Sequence, residues 1–116
     1  MSIQRIDAGQ RMSDAVIHNH TLYYTSVPDD PHLEADIAGQ TASALAAIDA
    51  ILSRVGADRT CLLDVTIFLT DVADFAAMNK VWDEWVPAGS APVRCTVQAA
   101  LMDPRYKVEL KVVAAV

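Results

Sequence analysis

Cysteine is scarce in this sequence: Cys61 and Cys95 are the only two in 116 residues. Two cysteines make no disulfide framework, and without a Cys-x-x-Cys pair neither a zinc site nor dithiol chemistry is indicated. Positive charge is scarce as well. Nine Lys and Arg stand against fifteen Asp and Glu, a net charge of −6, and no basic run occurs. Binding phosphate requires clustered Lys and Arg, so the composition argues against nucleic acid and anionic membranes as partners. No apolar stretch approaches the roughly 18 residues of a membrane span. The opening Met1-Ser2-Ile3-Gln4-Arg5-Ile6-Asp7 lacks the apolar core of a signal peptide. A soluble, cytoplasmic protein is expected. Internal repeats, low-complexity tracts and long linkers are absent too.

What is present is a short, apolar-rich chain. Its length suits one domain, residues 1–116. A hydrophobic fraction of 53% is high for so small a volume, which points to extra burial in a subunit interface.

Two β-prone runs, Ala15 to His18 and Thr21 to Thr25, flank Asn19-His20 and predict a hairpin. Ser26 to Pro31, with two prolines and two aspartates, ends the second strand in a loop. From Ile37 to Val55 apolar residues recur at helical steps: Ile37, Thr41, Ala44, Leu45, Ile48, Ile51, Leu52 and Val55. Gln40, Ser43, Asp49 and Ser53 fall on the opposite face, and Gly56 suits the C-terminal stop. Leu62 to Thr70 is the clearest strand. A second helix, about Asp74 to Trp85, carries an apolar stripe of Phe75, Met78, Val81, Trp82 and Trp85 and is broken by Pro87 and Gly89. Two strands, roughly Val93 to Ala99 and Lys107 to Ala115, close the chain around the Asp103-Pro104 turn.

The order is β-β-α-β-α-β-β, with a further small strand conceivable at Ile3 to Ile6. This is an α+β arrangement with both helices on one face of a sheet and the other face bare. Alternation in the last two strands separates Val93, Cys95 and Val97 from Arg94, Thr96 and Gln98, and Val108, Leu110 and Val112 from Glu109 and Lys111. The apolar sets are expected on the helix side. If the two strands pair, Arg94, Thr96, Gln98, Glu109 and Lys111 form a polar cluster on the open face.

Three stretches stand out: Asp64-Val65-Thr66-Ile67-Phe68-Leu69-Thr70-Asp71 with Asp74, Phe75 and Asn79; Ala91-Pro92-Val93-Arg94-Cys95-Thr96-Val97-Gln98; and Tyr106-Lys107-Val108-Glu109-Leu110 with the Val-Val-Ala-Ala end. Together they resemble the RidA/YjgF family over nearly the whole chain. Gln40, Leu45, Ile48, Ile51 and Gly56 match the family's first helix. Arg11-Met12-Ser13-Asp14 and Asp103-Pro104-Arg105-Tyr106 are most similar to the YoaB-like branch.

The resemblance implies a chorismate-mutase-like fold and a homotrimer whose sheets enclose a central barrel. Ligand sites would lie between subunits, with no metal or organic cofactor. It also implies hydrolysis of reactive enamines and imines to keto acids and ammonia. Arg94 matches the arginine that holds the substrate carboxylate, chemistry suited to a guanidinium fork. The alternative is an Arg94 paired with Glu109 across the sheet.

Three departures bear on catalysis. The family's last strand reads apolar-Glu-apolar-Glu; here it is Val108-Glu109-Leu110-Lys111, so Lys111 replaces the carboxylate assigned to water activation. Met12 replaces a ligand-facing tyrosine. Ser26 keeps its hydroxyl, but the glycine expected after it is missing. Lys111 suits a structural or ligand-charge role better than that of an anionic base. A second cation would also suit a dicarboxylate.

Thr96 takes the same-face position two residues after Arg94, and strand parity sends Cys95 to the core. Tyr23 and Tyr24 alternate across their strand, with Tyr24 assigned to the cleft. Trp82 and Trp85 suit packing. His18 and His20 lack a third ligand and are divided by a turn, so no metal is expected. The candidate site therefore comprises Arg94, Thr96, Ser26, Tyr24 and Met12 for binding a small carboxylate, with Glu109 and Lys111 for proton transfer. Two functions follow: an imine deaminase, or a non-catalytic small-molecule binder. An RNA-directed role conflicts with the acidic charge.

Overall fold

The hairpin expected around Asn19-His20 forms in the computed structural model, which describes residues 2–116. Both turn residues have positive φ, 51° and 58°. This is the geometry whose twist matches that of the strands it joins. The strands are β2 (Ser13–His18) and β3 (Thr21–Ser26), and a first strand, β1 (Gln4–Ala8), pairs antiparallel with β2.

Helix α1 (Ile37–Arg54) starts where the Asp36 carboxylate accepts the Gly39 amide at 2.9 Å. It ends at Gly56, whose φ of 76° a side chain would resist. There Gly56 N donates to Ser53 O and Ala57 N to Leu52 O, which satisfies two of the last carbonyls. β4 (Leu62–Leu69), α2 (Phe75–Trp85), β5 (Val93–Gln98) and β6 (Val108–Ala115) complete the chain.

The six strands form one mixed sheet in the order β1-β2-β3-β6-β4-β5. β5 runs parallel to β4 at one edge, and β6 lies antiparallel between β3 and β4. The last two strands therefore do not pair. The chain leaves the edge at β5 and returns two places inward, so the polar cluster predicted from their pairing does not exist in that form.

The core lies between one sheet face and the helices. Val65, Ile67 and Leu69 of β4, Val108, Leu110 and Val112 of β6, and Leu22 of β3 meet Leu45, Ile48 and Leu52 of α1 and Met78, Trp82 and Trp85 of α2. Phe75 departs from the predicted stripe: it stands at the helix start and is exposed.

The supposed polar face of α1 is also partly core. Gln40 is fully buried, and Ser43 nearly so. The Gln40 amide donates to Leu33 O (3.1 Å) and Arg105 O (2.9 Å) and accepts from Lys107 N (2.7 Å). Two loops cover this face, and the side chain supplies the hydrogen bonds their backbones would otherwise lack.

The parity of β5 is the reverse of the sequence expectation. Arg94 and Thr96 lie in register with Val65 and Ile67, on the helix side. Val93, Cys95 and Val97 point to the open face, where Val93 is 73% and Val97 43% exposed. β5 is an edge strand at the margin of the helix layer, so its helix-side residues form a rim instead of a core. Cys95 is accordingly exposed, with its Sγ 3.8 Å from Thr66 Oγ1.

Candidate functional site

β5 brings Arg94 under helix α2. Arg94 Nη1 donates to Asn79 Oδ1 at 2.8 Å, and its Cζ lies 5.3 Å from the centre of the Trp82 ring. Asn79 and Trp82 are three residues apart on α2 and so share a face. The alternative pairing of Arg94 with Glu109 does not occur: Glu109 lies opposite Phe68 on the other side of the sheet.

A cleft of about 370 Å³ opens beside Arg94 at the free edge of β5. Its walls come from Arg94, Thr96, Cys95 and Val97 of the strand and from Val72 and Phe75, where the chain enters α2. Such a volume suits a small molecule. Val72 and Phe75 are exposed and apolar, so the cleft joins a cationic end to a hydrocarbon wall. The Thr96 hydroxyl oxygen is buried without a hydrogen-bond partner among the described residues. An orphaned hydroxyl is costly within the chain and available to a ligand.

The remaining predicted residues are not gathered here. Ser26 is fully buried, and its hydroxyl donates to Ala44 O at 2.6 Å, tying β3 to α1. Tyr24, on the helix side of β3, packs against the core, and burial raises its phenol above the usual value. Met12 is exposed in the loop between β1 and β2, in a separate depression with Asp7, Arg11 and Asp14. Lys111 extends from the open face, with Nζ 3.4 Å from Thr25 Oγ1. It forms no ion pair with Glu109 among the described residues.

Arg94 and Thr96 thus meet at one cleft, while Glu109 and Lys111 occupy the opposite sheet face. Asn79 and Trp82 were missed as partners of Arg94. Their spacing on one helix face was available in the sequence, but that β5 lies beneath that face was not.

The model of the family described as endoribonuclease L-PSP matches residues 2–116. The chain belongs to this family, the RidA/YjgF family. It is 64% identical to the RutC family protein YoaB of Escherichia coli K12 over 116 residues, all of both chains. A crystal structure of a YjgF-family protein from Neisseria meningitidis superposes with a TM-score of 0.93 at 40% identity, covering 99% of this chain and 95% of that one. A more distant relative, the chloroplastic Reactive Intermediate Deaminase A of Arabidopsis thaliana, is 35% identical over 78 residues, 67% of this chain and 41% of that one. The sheet and helices described above are thus the YjgF fold, and membership of the RidA/YjgF family supports a small-molecule-binding protein.

Proposed function

We propose that the protein binds a small 2-oxo or 2-imino carboxylate, with the ligand carboxylate on Arg94, in clefts completed by neighbouring copies of a homotrimer. One observation carries this reading. Arg94 is held at the cleft by an amide and an indole ring, and no carboxylate among the described residues pairs with it. Its charge is therefore free to meet an anion from solution. A bidentate guanidinium–carboxylate pair is a strong charge-assisted contact.

The trimer draws on two features besides the family resemblance. The cleft lies at an unpaired strand edge, where one wall is missing. The open sheet face exposes Tyr23, Val93 and Val97, apolar side chains that a second copy would cover. Glu109 and Lys111 lie across the sheet from Arg94, so for either to serve a ligand on Arg94 it would have to come from another copy.

Hydrolysis of an imine is the second reading, favoured by the relative named a deaminase. Lys111 in place of the expected glutamate favours binding alone, because an ammonium is no anionic base. A ribonuclease role, which the family's description names, fits poorly with a net charge of −6 in which Arg54, Arg59 and Arg105 are each paired with an aspartate. A cytoplasmic setting suits two free thiols.

Calorimetric titration with 2-oxobutyrate tests the binding. Wild type should bind and Arg94→Ala should lose about tenfold or more in affinity; equal affinity for both proteins would remove the reading. Ammonia release from 2-iminopropionate generated in situ tests the hydrolysis. Release no faster than in buffer, with folded protein present, leaves the binder.

A further inference from the structure

We propose that Asn79 is a positioning residue that fixes the Arg94 guanidinium without neutralising it. The inference rests on the reading of Arg94 as the ligand anchor, and it concerns how that anchor is kept available.

The hydrogen-bond chemistry sets the orientation of the amide. A guanidinium has donors only, so the oxygen of Asn79 must face it, at 2.8 Å. The Trp82 ring lies 5.3 Å from Cζ and offers a π face to the same cation. Helix α2 thus accepts one N–H of the guanidinium and sets an indole ring against its charge, and leaves its other donors for the cleft.

This neutral cradle differs from the partners of the other three arginines whose side chains are hydrogen-bonded among the described residues. Arg54 is bonded to Asp7, Arg59 to Asp49 and Arg105 to Asp103, each at 2.8 Å. With fifteen acidic residues to nine basic, an aspartate is the common partner for an arginine here. At Arg94 the partner is an amide of the same shape. A carboxylate at this position would make the stronger bond and compete directly with any ligand carboxylate. The amide fixes the geometry and keeps the charge for an incoming anion.

Asn79→Asp and Asn79→Ala separate this role from a structural one. Asn79→Asp preserves shape and an acceptor but supplies an internal counter-ion. Asn79→Ala keeps the charge free and releases the guanidinium from its fixed geometry. Titration with 2-oxobutyrate should rank the affinities wild type, then Asn79→Ala, then Asn79→Asp, with the last about tenfold or more below wild type. Thermal stability should not follow that rank: Asn79→Asp should melt at or above Asn79→Ala.

A purely structural Asn79 gives the reverse result, with Asn79→Asp binding as wild type does, and that outcome overturns the proposal. Should Asn79→Asp fail to fold, Asn79→Ala alone decides, since unchanged affinity in it also overturns the proposal. Arg94→Ala separates the two levels. If it binds as wild type does, the anchor reading fails and the positioning role with it. If it loses binding while both Asn79 variants retain it, the positioning role alone fails.

Discussion

Thr96 shares with Thr41 a buried hydroxyl that finds no hydrogen-bond partner among the described residues. Of the two, Thr96 lines the cleft with Arg94. An unsatisfied hydroxyl destabilises, so Thr96→Val should leave the melting temperature unchanged or raise it. If that hydroxyl serves the ligand, the same variant should weaken 2-oxobutyrate binding by about threefold to tenfold, roughly the worth of one hydrogen bond. Calorimetry and a melting curve on one sample decide this, and unchanged affinity would return Thr96 to simple packing. Arg94→Lys should also bind weakly, because an ammonium reproduces neither the fork nor its stacking on Trp82.

Among the polar contacts that tie elements together, two have losses with predictable consequences. Gln40 joins α1 to the loops at Leu33 and at Arg105–Lys107 through three hydrogen bonds. Gln40→Leu would leave two carbonyls and one amide without partners. A loss of about 2–4 kcal/mol is expected by urea denaturation. A loss below about 1 kcal/mol would mean that water replaces the amide.

The second tie is the Asp49–Arg59–Trp85 contact. Arg59 grips Asp49 with two bonds of 2.8 and 2.9 Å, and Trp85 Nε1 donates to Asp49 at 3.0 Å. Burial pushes the Asp49 carboxyl up, but the bonds from Arg59 and Trp85, with the Arg59 charge, bring it below its ordinary value. A carboxyl depressed in the folded state stabilises above its unfolded pKa of about 3.9. That stability is lost as pH falls through the lower folded value. The stability gap between wild type and Asp49→Asn should therefore be full near pH 7 and shrink as the pH drops below about 4. A gap constant with pH would show that Asp49 contributes shape rather than charge.

At the scale of the whole molecule, the proposed trimer rests on the open sheet face. It exposes Val93 and Val97 of β5 and Tyr23 of β3, with Glu109 and Lys111 on the same side. Placing a charge there costs little in an isolated chain, where the site already faces water. It costs much more if a second copy covers the site. Val97→Asp should therefore leave secondary structure intact while shifting a trimer towards monomer, as light scattering on a sizing column would show. A wild-type protein that elutes as a monomer at micromolar concentration would remove the trimer itself. Because the cleft lies on the β5 edge, loss of assembly should also weaken ligand binding without any change at Arg94.

Much of this molecule is written locally. The helical steps of three and four from Ile37 to Val55, the stop at Gly56, the Asn19-His20 turn and the run at Leu62 follow from short-range sterics and periodicity. They appear where the sequence predicts them, and the motif around Arg94 is continuous enough to reveal the family. Strand order and the facing of β5 are not local properties. Alternation shows that Val93, Cys95 and Val97 differ from Arg94, Thr96 and Gln98, but not which set meets the helices. An apolar set is as well served by a subunit interface as by a core. The neighbours settled it: β6 inserts between β3 and β4, β5 is left at the edge, and its register with Val65 and Ile67 turns Arg94 under α2 onto Asn79 and Trp82. The same register moves Cys95 out to the open face and separates Arg94 from Glu109 and Lys111, because a two-residue repeat sends adjacent positions to opposite sides of a sheet.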